Sequence, residues 1–322
     1  MRVRTFFAVA LALFAVLPGV APAQAWPAKP IHILVPFPPG GAADIMARVV
    51  AEQMSKGLGQ PVVVDNKPGA GAVLAYEAGA RATPDGYTVL QVWPSFVINP
   101  LLRPSVGYDP LRDFKPVVHA ISLPLALAVN PSVQARTLDE LVDLARSKPG
   151  QLSYSTPGMG TTQNFLGEML NLAAHVKLQH VPYPGGGQQV LAVVGGHVPA
   201  VIANVTEIAP QAHSGKVRVV AVFSAERVDL LPDVPAIRET SLPQLETVNW
   251  AGYVVPAQTP PAIVAALHDE LARVLKLPEV QEKLKAQGMY AVPGTAEQFG
   301  AFLREESSRY GSVAKEAGIR IE

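Results

Sequence analysis

The sequence predicts an α/β protein with mostly parallel central sheets and helices on both faces of the sheets. Short runs rich in β-branched residues alternate with segments whose apolar residues recur at helical spacing. The short runs are apolar at successive positions, which is typical of parallel strands buried on both sides. The chain has 322 residues, of which 49% are hydrophobic, and this is enough for two compact domains.

In chain order, the strand IHILVPF precedes a helix predicted over 42–58, and PVVVDN precedes one over 71–82. YTVLQVW is predicted to be the next strand. LALAVN then precedes a helix over 138–147, and LSYST precedes one over 162–174. Alternation of this kind indicates parallel strands joined by crossover helices.

The pattern changes in the C-terminal region. A last strand, WAGYVVP, begins at Trp250, and two or three helices follow between 261 and 318. The simplest packing returns these helices to the N-terminal part of the protein. We therefore expect a discontinuous first lobe of residues 26–124 and 246–322, and a second lobe of residues 125–245.

Residues 1–25 have the features of a secretory signal peptide: the basic start MRVR, the apolar run FFAVALALFAVL and the small-residue site AQA. A membrane anchor would need roughly 20 apolar residues, and Pro18 and Pro22 interrupt this run. The sequence therefore predicts export to the periplasm, with cleavage after Ala25 and a mature chain that begins at Trp26.

Composition excludes several kinds of function. Lys and Arg number 26, as do Asp and Glu, and they are interspersed, so no basic face indicates nucleic-acid binding. The absence of cysteine rules out a disulfide framework, a Cys-ligated metal and a lipidated N-terminus. We expect a monomer that binds a small molecule.

A search for catalytic motifs gives no convincing match. The sequence has no G-x-S-x-G motif and no pair of histidines at i,i+4, and its only S-x-x-K spacing lies at 312–315 in a predicted helix. The segment GAGAVL at 69–74 has Leu74 where a dinucleotide loop has its third glycine. We therefore expect no enzyme activity, no cofactor and no metal.

Two loops stand out instead. PFPPGGAAD (36–44) and STPGMGTT (155–162) each lead from a strand into a helix. Such a loop directs the free N–H groups of the first helical turn beyond the carboxyl end of the strand, where ligands of open α/β sheets bind. Neither loop contains Lys or Arg, so an anion would be held by backbone dipoles and hydroxyls. A carboxylate fits that description.

Each loop taken alone is also explained as an ordinary turn, with Thr161 or Thr162 as a helix cap and Asp44 stabilised by the helix dipole. Two matched loops in a chain that lacks a catalytic set favour ligand binding. Asp44 is expected to order its loop rather than touch the ligand. The candidate positions in the two loops are Phe37, Pro39, Gly40, Gly41, Ala42, Ala43, Asp44, Gly158, Gly160, Thr161 and Thr162.

Four further residues are candidates at the same sheet edge. Trp93 and Ser95 follow a predicted strand, although a Trp in this place is also typical of plain core. Tyr183, in HVPYPGGG, either lines a pocket or packs under a turn. Asn204 ends a strand and either bonds a ligand or caps the next helix. The charged residues from Arg48 to Lys56, spaced i,i+4, indicate a solvated helix face.

Eight segments together resemble a known family, the Bug proteins, which are periplasmic solute receptors of tripartite tricarboxylate transporters. In order these are WPAKPIHILVPFPPGGAADIMAR, LGQPVVVDNKPGAGA, PDGYTVL, YDPLRDFKPV, YSTPGMGTT, HVPYPGGG, LPDVPAIRE and WAGYVVPAQTP. The resemblance runs from Trp26 almost to Glu322. It implies a two-lobed clamshell of the type II periplasmic class, which presents its ligand to membrane transporter subunits. Two alternatives stay open beside it: a sensor protein reads the same closure in place of a transporter, or the protein is an exported hydrolase with an unfamiliar site.

Carried over to this sequence, the resemblance implies that residues 38–44 and 158–162 hold a ligand carboxylate and that the segment around Tyr183 lines the cavity. Pro184 stands where the family often has Lys, and Asn204 where it often has Asp. These departures affect the part of the pocket that would hold the end of the ligand away from its carboxylate. On this basis a ligand without an amino group is expected.

Overall fold

The computed structural model describes residues 26–103, 105–183 and 186–319. The signal peptide predicted over 1–25 therefore lies outside the described residues. Within the described ranges, no helix is both long and apolar enough to span a bilayer.

The described residues form ten strands and ten α-helices. The strands are β1 (Ile31–Val35), β2 (Val62–Asn66), β3 (Thr88–Val92), β4 (Phe114–Val129), β5 (Ser153–Thr156), β6 (Gln179–Pro182), β7 (Ala200–Asn204), β8 (Arg218–Val222), β9 (Val248–Pro256) and β10 (Tyr290–Ala291). The helices are α1 (Ala42–Leu58), α2 (Val73–Ala80), α3 (Ser95–Leu102), α4 (Leu138–Ser147), α5 (Thr162–Ala174), α6 (Gly186–Val194), α7 (Val205–His213), α8 (Pro261–Leu275), α9 (Pro278–Lys285) and α10 (Ala296–Ala317).

Three predicted helices, α1, α4 and α5, have the bounds that the sequence indicated. The helix predicted over 71–82 is shorter at both ends, because α2 begins only at Val73 and ends at Ala80. The residues before it have positive φ angles of 133° at Gly69, 50° at Ala70, 66° at Gly71 and 78° at Ala72. A left-handed turn of this kind cannot continue into a right-handed helix, so it delays the start of α2.

The strands form one sheet in the order β2-β1-β3-β9-β4-β7-β5-β6, with β8 and β10 also paired to β4. Within β2-β1-β3 and within β7-β5-β6 the strands are parallel, as predicted. Every pairing of β4 and β9 is antiparallel. The α/β class is thus confirmed, but the sheet is mixed rather than mostly parallel, because β4 and β9 carry the chain between the two parallel groups in opposite directions.

Strand β4 runs from one group of strands to the other. From Phe114 to Pro124 it pairs with β9, and from Leu125 to Val129 it pairs with β7 and β8. We call β1, β2, β3, β9, β10 and the first part of β4 the first half of the sheet. The second half consists of β5, β6, β7, β8 and the last part of β4.

The strand directions decide where the loops lie. Two antiparallel steps, through β9, make β4 run parallel to β3 and β1. One antiparallel step makes β7, and with it β5, run against β4. The carboxyl ends of β1 and β3 therefore point toward the second half, and those of β5 and β7 point toward the first half.

Helix α10 packs on both halves. It contacts β4 and α3 in the first half and α5 in the second. Phe165 on α5 meets Tyr310 on α10 with 5.0 Å between ring centroids. The buried Glu306 of α10 accepts a hydrogen bond of 2.9 Å from the indole nitrogen of Trp250 on β9, so the C-terminal helix is fixed to a strand that joins the halves.

Candidate ligand-binding site

Loop 1, residues 36–41, connects β1 to α1. Gly40 has a φ of 85°, in the left-handed region that glycine adopts without steric cost. Gly41 takes an extended conformation, and α1 starts at Ala42. The N–H groups of the first helical turn have no acceptor within the helix, and Gly41 has no side chain to supply one.

Asp44 orders this loop. Its Oδ2 oxygen accepts hydrogen bonds of 2.9 Å from the Gly40 N–H and of 2.9 Å from Nε of Arg48. Asp44 is only 4% exposed. The hydrogen bond from Arg48 is the main cause that lowers the pKa of the Asp44 carboxyl to about 2. The Arg48 side chain is 56% exposed, in line with the predicted solvated helix face, and its guanidinium in addition pairs with the buried Asp44 carboxylate in the first turn of α1.

Loop 2, residues 157–161, connects β5 to α5. Gly160 has a φ of 78°, and Thr161 caps the helix by accepting a hydrogen bond of 3.3 Å from the Asn164 N–H. The Asn164 Oδ1 oxygen in turn accepts a bond of 3.2 Å from the Gly160 N–H. Asn164 is 3% exposed, so this contact is shielded from water.

The two loops have the same construction. In each, a left-handed glycine donates its N–H to the side chain four residues later, Asp44 in loop 1 and Asn164 in loop 2. The N-cap residues of the two helices also have similar backbone angles, with φ and ψ of −84° and 173° at Gly41 and of −85° and 158° at Thr161. The sequence analysis missed Asn164, although its offset from Gly160 equals that of Asp44 from Gly40.

The hydrogen bonds within the two loops determine which N–H and O–H donors remain free to bind a ligand. The N–H groups of Gly40 and Gly160 are occupied, and the Gly158 N–H donates to Oγ1 of Thr156 over 3.2 Å. The Thr161 hydroxyl is also occupied, because it donates to the Gly158 carbonyl over 2.7 Å. The glycines therefore shape the loops, and the amides of the first helical turns, residues 41–43 and 161–163, remain to face an anion.

Thr162 is buried at the start of α5. Its Oγ1 lies 3.5 Å from Oδ1 of Asn249 on β9. The first turn of α5 therefore contacts a strand that joins the two halves.

Trp93 supports loop 1 through Gln91. The Trp93 Nε1 donates to Oε1 of Gln91 over 3.0 Å, and Nε2 of Gln91 donates to the Ala43 carbonyl over 3.1 Å. Gln91 is fully buried, and the half-buried Phe37 packs edge-on against Trp93 with 6.0 Å between ring centroids. Ser95 hydrogen-bonds Tyr76 over 2.8 Å at the start of α3. The structure thus joins Trp93 to the first turn of α1 through Gln91, a buried polar residue that the sequence did not single out, and Phe37 of loop 1 packs on the same Trp93 ring.

Tyr183 and Asn204 border loop 2. The Tyr183 N–H donates to the Thr156 carbonyl over 2.9 Å, and the Tyr183 side chain packs against the apolar core of the second half. Asn204 ends β7, and its N–H donates to Oε2 of Glu207 over 3.3 Å. Asn204 is the N-cap of α7 and forms a capping box with Glu207, which is the capping role that the sequence allowed. Burial raises the pKa of the Glu207 carboxyl.

A cavity of about 410 Å³ opens elsewhere, at the end of the second half that is remote from both loops. It lies around Arg218, which pairs with Val129 at the end of β4 and donates to the carbonyls of Val133 and Ala135. In the described ranges, no three His, Cys, Asp or Glu side chains lie close enough together to hold a metal ion. We take as the candidate site the region between loops 1 and 2, which end strands that point toward each other.

Known proteins share this sequence and fold. Residues 46–319 match the tripartite tricarboxylate transporter family receptor. BugT of Bordetella pertussis (strain Tohama I) is 34% identical over 316 residues, which are 97% of this chain and 97% of that protein.

Three solved structures are similar as well. BugD, described as a periplasmic binding protein, is 31% identical with a TM-score of 0.76 and covers 92% of this chain and 100% of its own. An R. palustris protein with adipate is 31% identical with a TM-score of 0.79, over 92% of this chain and 99% of its own. MatC of Rhodopseudomonas palustris with bound malate is 30% identical with a TM-score of 0.75, over 89% and 99%.

These findings confirm the resemblance to Bug proteins and the predicted fold of periplasmic binding proteins. The family match spans most of the chain, and the relative covers nearly all of it. The chain belongs to the receptor family of the tripartite tricarboxylate transporters.

Proposed function

We propose that this protein is a periplasmic receptor that binds a small carboxylate between two lobes and delivers it to a tripartite tricarboxylate-type transporter without chemical turnover. One observation carries the proposal: loops 1 and 2 have the same construction and lie at sheet edges that point toward each other. The similar proteins with adipate and malate support a carboxylate as the ligand. The segment predicted to be a signal peptide supports the location.

The chemistry of the loops supports a carboxylate. The amides of residues 41–43 and 161–163 are N–H donors at the positive ends of two helix dipoles. The Asp44 carboxylate, in the first turn of α1, is paired with Arg48 and accepts the Gly40 N–H, so the pair carries no net charge that would repel an anion. One carboxylate has enough acceptor sites to engage several amides from both loops at once.

We infer that the two halves of the sheet are the two lobes. Strands β4 and β9 pair from Phe114↔Pro256 to Pro124↔Val248, and beyond that point β4 enters the second half. This register supports lobes of 26–124 with 246–322 and of 125–245. Bending of β4 and β9 would then open and close the cleft, and a ligand that touches both loops would favour the closed state.

The family favours a membrane transporter as the partner, and a sensor protein is the alternative. Deletion of the gene separates the two. Loss of uptake of the bound acid indicates transport, whereas normal uptake with loss of an acid-induced transcriptional response indicates sensing.

Binding is tested with isothermal titration calorimetry of mono- and dicarboxylates, amino acids and aromatic acids, with the uncharged amide of each acid as its control. We expect at least one acid to bind and to raise the melting temperature, and its amide not to. A42E places a negative charge in the first turn of α1, where the helix dipole tolerates it but a ligand carboxylate is repelled.

The matched control is A262E, since Ala262 is an exposed residue in the first turn of α8, outside both loops. We expect A42E to abolish binding and A262E to leave it unchanged, with both variants folded. Equal binding by both variants, or the absence of acid binding by the unmodified protein, contradicts the proposal.

A further inference from the structure

Helix α10 carries an ion pair on the face that packs against the sheet. Oε1 of Glu306 lies 2.6 Å from Nη2 of Arg309, three residues later, and Glu306 is 3% exposed. Burial raises the pKa of the Glu306 carboxyl although a guanidinium lies beside it. Taking charges out of water is costly, and a buried ion pair often stabilises a fold no more than apolar residues of the same size would. Its contacts, rather than its effect on stability, therefore indicate what the pair does.

Both charged side chains hold the segment where the chain returns from the second half to the first. Oε2 of Glu306 accepts a hydrogen bond of 2.9 Å from Nε1 of Trp250 on β9. Nη1 of Arg309 donates to the Glu246 carbonyl over 2.9 Å and to Oγ1 of Thr247 over 3.3 Å. Strand β9 starts at the next residue, beside the place where β4 passes between the halves. The ion pair thus fixes α10 to the start of β9.

The next residue of α10, Tyr310, contacts the helix that follows loop 2. Tyr310 is fully buried, and its ring meets that of Phe165 on α5 with 5.0 Å between ring centroids. Its hydroxyl faces the side chain of Thr162 in the first turn of α5. Oγ1 of Thr162 also lies 3.5 Å from Oδ1 of Asn249, near the start of β9. Helix α10 and strand β9 therefore both contact the helical turn whose amides face the ligand in the proposed function.

We propose that Glu306, Arg309 and Tyr310 are positioning residues for ligand binding. They act through Thr162, since they join the first turn of α5 to the start of β9, and the amides of residues 161–163 stay in place while the two halves move. A carboxylate then meets donors that are already ordered, which lowers the entropic cost of binding. The inference rests on the proposed function, because it requires the ligand carboxylate at these amides.

The first test compares Y310F with Y108F by isothermal titration calorimetry, with adipate, malate, glutamate and benzoate as the probes. Y310F keeps the ring that packs on Phe165 and removes only the hydroxyl that faces Thr162. Tyr108 is the control, because it is also buried and its hydroxyl donates to the Phe96 carbonyl over 3.0 Å, outside α5 and β9. We expect Y310F to bind the tightest of these acids roughly three- to tenfold more weakly, and Y108F to bind it as tightly as the unmodified protein.

The second test removes the ion pair. E306Q/R309M keeps an acceptor for Trp250 but removes both charges and the two hydrogen bonds from Arg309 to the start of β9. Its control, E270Q/R273M, removes a pair of the same i,i+3 spacing from α8, which packs on α1. We expect roughly tenfold weaker binding for E306Q/R309M alone, with both double variants folded.

A role in stability alone would lower the melting temperatures of the variants and leave the affinity of the folded protein unchanged. Y310F and E306Q/R309M that fold and bind the acid as tightly as the unmodified protein therefore overturn the inference and leave the proposed function intact. A Y310F variant that fails to fold overturns it too, since Tyr310 is then a residue of the core alone. If E306Q/R309M fails to fold, Y310F decides. An unmodified protein that binds none of the acids overturns both proposals.

Discussion

At the scale of single residues, the loops depend on one repeated contact. A side chain on the first turn of the helix accepts the N–H of a left-handed glycine four residues earlier, through the carboxylate of Asp44 in loop 1 and the amide of Asn164 in loop 2. Both acceptor side chains are buried, and the two hydrogen bonds themselves are partly buried, which limits competition from water. Fixed loops hold the remaining amides in place before a ligand arrives, which lowers the entropic cost of binding.

The Asp44 contact has a measurable dependence on pH. The folded protein lowers the pKa of this carboxyl from 3.8 to about 2, so its ionised form stabilises the fold above about pH 4 and loses this effect as the pH falls toward 2. By linkage the effect amounts to about 2 kcal/mol at neutral pH. We expect D44N to lower the free energy of unfolding in urea by about that amount at pH 7 and by roughly half as much at pH 3.

The control is E52Q, since Glu52 forms an exposed i,i+4 pair with Lys56 on the same helix. Exposed pairs of this kind contribute little to stability, so E52Q should change the free energy of unfolding only slightly. An equal loss for D44N at pH 7 and pH 3 would show that the ion pair is not its cause.

At the scale of elements, helix α5 is held close to the strand that precedes it. A Cβ added at Gly167 would lie 2.2 Å from the ring of Tyr154 on β5. That ring cannot yield, because Tyr154 is fully buried and its hydroxyl donates to Glu168 over 2.8 Å. The glycine therefore sets the distance between α5 and β5, and with it the position of loop 2.

Replacing glycine by alanine should have opposite effects on stability in helices α5 and α10. We expect G167A to destabilise the protein by about 1–3 kcal/mol through overpacking. G311A in α10 places its Cβ 3.7 Å from Leu101, an ordinary contact, and should stabilise the protein by up to about 1 kcal/mol through helix propensity. Thermal unfolding of both variants measures the two signs. A stabilised G167A would refute the close packing of α5 on Tyr154.

At the scale of the whole molecule, β4 and β9 join the two halves of the sheet, and helix α10 packs against both halves. As expected from the sequence, C-terminal helices pack against the N-terminal part of the chain, α8 on α1 and α10 on α3. Only the last part of β4, LALAVN, was predicted as a strand, because Lys115, Pro116 and His119 make the first part resemble a loop. The structure accommodates these residues through register shifts between Pro116 and Val118 and between His119 and Ile121.

The candidate site was predictable where local chemistry defines it, and not where distant parts of the chain meet. Glycines before a helix indicated both loops. The hydrogen bond from Gln91 to the Ala43 carbonyl joins residues 48 positions apart, and no local sequence pattern predicts it. The i,i+4 spacing of Arg48 from Asp44 is typical of an exposed ion pair. Only the burial of Asp44 shows that Arg48 also holds the carboxylate that orders loop 1.

A crystal structure of the protein with its tightest-binding acid would show directly which backbone amides hold the ligand. We predict a closed cleft with one carboxylate of the ligand about 2.7–3.2 Å from backbone nitrogens of both residues 41–43 and residues 161–163. A carboxylate held by only one loop, or bound at the Arg218 cavity instead, would contradict it.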